Sequence, residues 1–151
     1  DSSKDKISFD KKSWEKNKQK SKNRASILDG TPISLPSIIK SQRLQEKASS
    51  VGFDWDNINN VWAKLYEEID ELKIACEKGQ LKSIEEEIGD CFFSLVNLAR
   101  HLNISAENSV RKTNNKFSKR FKEVEPKVSK MNKKINEMSN EEISKLWESV
   151  K

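Results

Sequence analysis

Residues 56–102, DNINNVWAKLYEEIDELKIACEKGQLKSIEEEIGDCFFSLVNLARHL, set the architecture of the chain. Ile58, Val61, Trp62, Leu65, Ile69, Leu72 and Cys76 recur at steps of three and four, and so do Ile84, Ile88, Cys91, Leu95, Leu98 and Leu102. That period belongs to the α-helix, where residues three or four apart lie on one face. The two runs predict helices over about 56–78 and 81–102, joined near Gly79, the one glycine between them. Phe92, Phe93, Val96 and Ala99 widen the apolar arc of the second run past half the circumference, so it needs more than one packing partner. Gly89 lies inside that run at a cost of about 1 kcal/mol relative to Ala, which a close helix–helix approach would explain.

Further helices flank this hairpin. Leu35 to about Ser50 carries Ile38, Ile39, Leu44 and Ala48, with Pro36 near its first turn, and Val51–Asp54 breaks it. Ser105 is placed to cap a helix that runs to about Val124, ahead of Pro126. Ser139, with Glu142 three residues on, opens a short last helix with the capping-box spacing. The expectation is an all-α bundle of about five helices with no strands. Four Gly and three Pro among 151 residues are too few for the turns of an all-β domain. Hydrophobic residues are 34% and charged residues 35%, so the core must be built from stripes. No apolar run approaches the roughly 20 residues of a membrane span, and no signal-peptide pattern opens the chain. Cys76 and Cys91 form neither a CxxC pair nor a disulfide framework, which points to a reducing, cytoplasmic setting.

The net charge of +5 is unevenly placed: residues 1–50 hold 12 Lys/Arg against 6 Asp/Glu, and residues 51–151 hold 17 against 18. Residues 1–33 therefore read as a basic tail or linker ending at Gly30 and Pro32, and 34–151 as the folded domain. The chain opens on Asp1 rather than Met, as expected of a piece whose first residues trail from something upstream. One reading of the basic run, with Trp14 as a stacking group, is a non-catalytic helical binding module docked on nucleic acid or on a partner domain.

The hairpin favours a different chemistry. Glu68 and Glu71, then Glu87 and Asp90, are two acidic pairs at i, i+3, each on one flank of its apolar stripe. Folding about Gly79 sets Glu71 beside Glu87 and Glu68 beside Asp90. Four carboxylates in one place repel unless protons or cations neutralise them. Oxygen ligands alone select a hard divalent ion, Mg²⁺ first, then Mn²⁺ or Ca²⁺. His101 is the sole histidine and is read as an edge residue, so a Glu-x-x-His di-iron site and a Ser–His or Cys–His nucleophile are excluded. Gly-rich phosphate loops are absent, and Asp54-Trp55-Asp56-Asn57 lacks the Gly and Glu of an EF-hand. Lys64, one turn before Glu68, and Lys116 with Arg120, at i, i+4 on the fourth helix, complete a set suited to a metal-bound polyphosphate.

Glu67, Glu68 and Glu71 followed by Glu87 and Asp90 resemble the E-E-x-x-E … E-x-x-D signature of the MazG family of nucleoside triphosphate pyrophosphohydrolases. The likeness extends over SILDGTPISLPSIIKSQRLQEKASSVGFDW (26–55), EEEIGDCFFSLVNLARHL (85–102), NNKFSKRFKEVE (114–125) and EEISKLWESVK (141–151), and it is to the second, C-terminal domain of two-domain members. Residues 11–25 resemble the tail of the preceding domain. The resemblance implies an all-α NTP pyrophosphatase fold with Mg²⁺, or Mn²⁺ in its place, on Glu68, Glu71, Glu87 and Asp90. It implies nucleotide contacts from Lys64, Glu67, Glu68, Asn97, Asn114, Lys116, Arg120, Trp147 and Lys151, with Glu67 or Glu71 accepting a proton from water. Attack at the α-phosphorus would yield a monophosphate and pyrophosphate with broad base tolerance. A homodimer sealed by the apolar arc is implied as well; neither a membrane nor a nucleic-acid partner is.

Overall fold

The computed structural model describes Ser13, Trp14 and residues 25–151. Among these, five α-helices and no strand are found: α1 Ser37–Ser50, α2 Ile58–Lys78, α3 Leu81–His101, α4 Ala106–Lys130 and α5 Asn140–Glu148, with a 3₁₀ turn at Ile135–Glu137. The basic run expected to form a tail or docking segment lies mostly outside the described residues. The chain divides into two compact units, up to Ala106 and from Glu107 onward.

In the first unit, α2 and α3 pack along their length, and α1 packs on α3. Asn57 starts α2, its side chain accepting the Asn59 N–H at 2.7 Å. Gly79 ends the helix in the left-handed region at φ 66°, its N–H shared between the Ala75 and Cys76 carbonyls at 3.1 Å. A side chain would be strained there, which makes glycine the natural residue at the turn. The core is Val61, Leu65 and Leu98 with Ile69 against them. Val61 meeting Leu98 across a turn at 79 is the mark of an antiparallel hairpin.

The buried faces differ in detail from the expected stripes. On α2 the buried residues are Val61, Leu65, Glu68 and Ala75, while Trp62 and Cys76 are exposed. On α3, Ser94, Val96 and Leu98 are buried, whereas Ile88, Leu95 and Leu102 are exposed. Because α3 serves both α1 and α2, its packed face turns toward Ser94 and Val96. Gly89 does not mediate a close approach, since no atom beyond the adjoining residues and backbone of its own helix lies within 4 Å of where its Cβ would stand.

In the second unit, α4 begins directly after Ser105 but does not stop before Pro126; it runs through it to Lys130. A proline there forfeits one backbone hydrogen bond. What keeps the helix going is the burial of Val124 and Val128, on either side of the proline, against Leu146 and Val150. Met138 and Trp147 close that cluster. The expected capping box at α5 is present: Ser139 Oγ accepts the Glu142 N–H at 3.2 Å, and Glu142 Oε1 accepts the Ser139 N–H at 3.5 Å.

Candidate metal and phosphate site

Glu68 stands on the packed row of α2, in a place the helical period reserves for an apolar side chain, and is 5% exposed. Its neighbours explain how a carboxylate is kept there. Lys64, one turn earlier, donates to Glu68 Oε1 at 2.6 Å and also reaches Glu67 Oε2 at 3.3 Å. The Glu68 contact is the main reason the Lys64 ammonium holds its proton more tightly than usual, with Glu67 adding to it. Glu68 Oε2, by contrast, is buried and has no hydrogen-bond partner.

The antiparallel fold brings Glu71 and Glu87 to this point. Glu68, Glu71 and Glu87 each offer an oxygen such that all three lie within 4.8 Å of one another. Glu87 Oε2 is a second buried, partnerless oxygen. Partial loss of water around Glu71, followed by the charges of Glu68, Glu87 and Glu67, raises its carboxyl above the ordinary range. Burial, and then the charges of Glu68, Glu87 and Asp90, push the Cys91 thiol up. Asp90 stands outside the group of three but lines a cavity of about 290 Å³ together with Lys64, Glu68, Trp55, Phe93 and Asn97. A smaller hollow of about 210 Å³ lies on the turn side of the cluster, where Glu71 and Glu87 face Lys78 and Ser83.

Two orphaned, buried carboxylate oxygens among converging hard donors fit a divalent cation, because an unpartnered buried acceptor costs about 1–3 kcal/mol and more when charged. The residues present suit Mg²⁺ or Mn²⁺ and not a soft metal. In the second unit, Lys116 is exposed and Arg120 half-buried, one turn apart on α4. Trp147 lies against Phe117 with ring centroids 5.4 Å apart, and Phe117 stacks on Phe121 at 6.0 Å. Lys151 pairs with Glu148 at 2.5 Å, and Asn114 is exposed on α4.

The sequence reading did not anticipate the network at the end of α3. Asp54 receives Arg100 through both its oxygens, at 2.8 and 2.6 Å, and contacts His101 Nε2 at 3.0 Å. Burial alone would raise the Asp54 carboxyl, but hydrogen bonds from Arg100, Ser49 and the Trp55 N–H outweigh it and hold the group well below the usual range. His101 is thus a member of an ion-pair network rather than a bare edge residue. Asn97 Oδ1 accepts from Arg100 at 2.7 Å. Partners 46 residues apart leave no periodic signal in a single sequence.

Residues 57–125 match the MazG nucleotide pyrophosphohydrolase domain. That stretch is a MazG-type domain. The chain is 39% identical over 132 residues to a nucleoside triphosphate pyrophosphohydrolase of Escherichia coli, an alignment covering 86% of the chain and 50% of that relative. Identity is also 39% over 142 residues to the nucleoside triphosphate pyrophosphohydrolase/pyrophosphatase MazG of Thermotoga maritima, covering 93% and 54%. An uncharacterized protein of Bacillus subtilis, YabN, shares 37% over 141 residues, covering 91% and 29%. The chain thus spans about half the length of these relatives from Escherichia coli and Thermotoga maritima. All five signature carboxylates lie in the matched region, and the loop around Asp54 lies beside it.

Proposed function

We propose that the chain hydrolyses nucleoside triphosphates at the α-phosphorus, releasing a nucleoside monophosphate and pyrophosphate, with a divalent cation, Mg²⁺ by preference, at Glu68, Glu71, Glu87 and Asp90. The observation that carries the reading is the pair of buried, partnerless oxygens on Glu68 and Glu87 at the centre of the acidic cluster. The names of the relatives from Escherichia coli and Thermotoga maritima support it. When bound, the cation neutralises phosphate charge and acidifies water.

The protein's own groups supply the rest. Lys64 fixes Glu68 and Glu67 in place and stays cationic beside the incoming phosphates. A water oxygen bonds to the α-phosphorus, the bond from that phosphorus to the α,β-bridging oxygen breaks, and pyrophosphate leaves with the bonding pair. The water's proton passes to Glu71 or Glu67. Asn97, which lines the cavity with Glu68 and Asp90, would contact the nucleotide; for Lys116, Arg120, Asn114, Trp147 and Lys151 a nucleotide-binding role rests on the family resemblance of their positions alone. The proposed setting is the cytoplasm, on the ground of the proposed substrates alone. Among the described residues no helix is long and apolar enough to cross a membrane. A second copy is the expected partner, since Trp62, Tyr66, Phe92 and Leu95 are all exposed, though Val96 is buried within the chain. A monomer by light scattering at micromolar concentration would contradict that.

The deciding experiment is product analysis with Mg²⁺ and each ribo- and deoxyribonucleoside triphosphate. Monophosphate plus pyrophosphate is expected for several bases, with Glu71→Ala and Asp90→Ala inactive but still helical by circular dichroism. Diphosphate plus inorganic phosphate would mean attack at the γ-phosphorus and would overturn the reading.

A further inference from the structure

Arg100 carries a charge near the end of α3 that takes no part in the proposed chemistry. Nη1 and Nη2 donate to the two oxygens of Asp54 at 2.8 and 2.6 Å. Asp54 also accepts the Ser49 hydroxyl at 2.9 Å and the Trp55 N–H at 2.8 Å, so carboxylate and guanidinium are clamped together. The clamped Nη2 donates in addition to Asn97 Oδ1 at 2.7 Å, one turn back on α3. That bond fixes which end of the Asn97 amide is which, because a guanidinium only donates. Oδ1 is the acceptor, and the NH₂ is left without a partner among the described residues. Asn97 is half-buried and stands where the cavity of the carboxylates meets a larger one of about 490 Å³, with Trp55 and Phe93 as the other shared walls. This stretch of α3 is pinned to α1 as well, since Gln45 Nε2 donates to the Phe93 carbonyl at 3.0 Å.

Stability alone is a poor account of this arrangement. A buried ion pair gains little net once both groups have left water. Here Arg100 Nε is also buried with no partner, which is a further cost. What the clamp does secure is one orientation of an amide. Free to turn, Asn97 could present its carbonyl, which repels oxygen acceptors, as readily as its NH₂. We infer that Arg100, clamped by Asp54, is a positioning residue that holds the Asn97 NH₂ toward the bound nucleotide, where it donates to an oxygen of the sugar. The inference rests on the reading that the phosphates bind at the carboxylates. Asn97 follows Asp90 on nearly the same face of α3, two turns and about 10 Å further along. That spacing sets it beyond the phosphates held at Asp90 and level with the sugar that follows them.

The test reads kcat and KM for pyrophosphate release from a nucleoside triphosphate with Mg²⁺, on the full chain and its variants. Arg100→Lys keeps the charge beside Asp54 but loses the planar fork that also reaches Asn97. It should raise KM by about 10-fold with kcat near wild type, the mark of lost binding common to ground and transition states. Asn97→Ala should do the same. Adding Arg100→Lys to Asn97→Ala should change KM by less than about 2-fold more, because Arg100 then has nothing to position. Asn97→Asp keeps an acceptor for Arg100 and removes the donor. It should fold at least as stably as wild type and still raise KM, which keeps the test decisive if Arg100→Lys does not fold. Inhibition by inorganic tripolyphosphate, which has no sugar, should be equal in wild type, Arg100→Lys and Asn97→Ala. A merely structural Arg100 would instead lower kcat through loss of folded protein and leave KM alone, and that result would overturn the inference. Additive effects of the two substitutions, a wild-type KM in Asn97→Asp, or tripolyphosphate inhibition that weakens along with KM would overturn it as well. If wild type releases no pyrophosphate, the hydrolase reading falls by itself, and the same ratios are read from the affinity for a nucleoside monophosphate by calorimetry. Affinities that the variants leave unchanged, or no affinity at millimolar concentration, would then overturn the positioning role too.

Discussion

Glu68→Gln should erase the effect of Mg²⁺ on thermal stability while leaving the metal-free protein near its original midpoint. In the metal-free state two consequences oppose each other. The amide gives up the 2.6 Å ion pair with Lys64, and it also relieves the repulsion from Glu71 and Glu87 within 4.8 Å. Size and shape at this 5% exposed position are retained. The metal's own effect is fixed by mass action: at a concentration 100 times its Kd it stabilises the native state by about 2.7 kcal/mol. For a chain of 151 residues, at about 2–4 °C per kcal/mol, that is a rise of about 5–11 °C. Losing one ligand oxygen of a small cluster should weaken binding by about 100-fold, the upper end of what even outer-shell changes cost. At the same concentration the gain then shrinks to about 0.4 kcal/mol, or about 1–2 °C. Melting followed by circular dichroism, with and without Mg²⁺, measures both quantities, and Glu85→Gln on α3 serves as control. A wild-type midpoint indifferent to Mg²⁺ and Mn²⁺, or a Glu68→Gln protein that keeps the full rise, would refute the argument.

Asp54→Asn breaks the two-pronged pair with Arg100, whose side chains are 23% and 14% exposed, and should cost about 3 kcal/mol in urea unfolding at neutral pH. Because the folded state depresses the Asp54 carboxyl, that contribution is present above the ordinary value of 3.8 and is lost as pH falls below it, so the gap to wild type should close only in strong acid. Leu146→Ala removes a side chain buried among Val124, Val128 and Val150 and should lower stability by about 2–4 kcal/mol, seen as a fall in the urea midpoint. Pro126→Ala restores an N–H inside α4 and should raise the thermal midpoint; a fall would mean that the proline's geometry is required for the Val124–Val128 packing. Gly89→Ala meets only open space within 4 Å and should stabilise the chain by about 0.5–1 kcal/mol, checked by the same melts.

The helices were legible because each has either a strong period or a chemical boundary. Ser139 with Glu142 spelled out the start of α5, and Gly79 the end of α2. Pro126 misled because local propensity is outweighed when residues on both sides are buried, and burial of Val124 and Val128 depends on Leu146 and Val150 about 20 residues away. Matching the carboxylates about Gly79 located Glu68, Glu71 and Glu87 together, since an antiparallel hairpin is a one-dimensional problem. A sharper signal had been present in the row 61, 65, 68, 72, 75, where a glutamate occupies the middle of a buried apolar stripe. The Asp54–Arg100 pair, the Gln45–Phe93 bond and the cavity they line were illegible for the opposite reason. Each joins a different pair of elements, and no spacing rule connects α1 or the Asp54 loop to α3.

The turn at Gly79 has a consequence for how sequences of this kind can drift. Surface turns are ordinarily where insertions and deletions accumulate. Here the distance from Glu71 to Glu87 is tied to the turn, because residues meet in pairs equidistant from it. One residue added within either helix between them would advance everything beyond it by about 1.5 Å and swing it by about 100°, parting the carboxylates. Descendants of a common ancestor should therefore vary freely in the residue types between 72 and 86 yet hold their number constant, with glycine or asparagine kept at the left-handed position. Lengthening is tolerable only as a bulge at the turn itself that leaves both helices in phase.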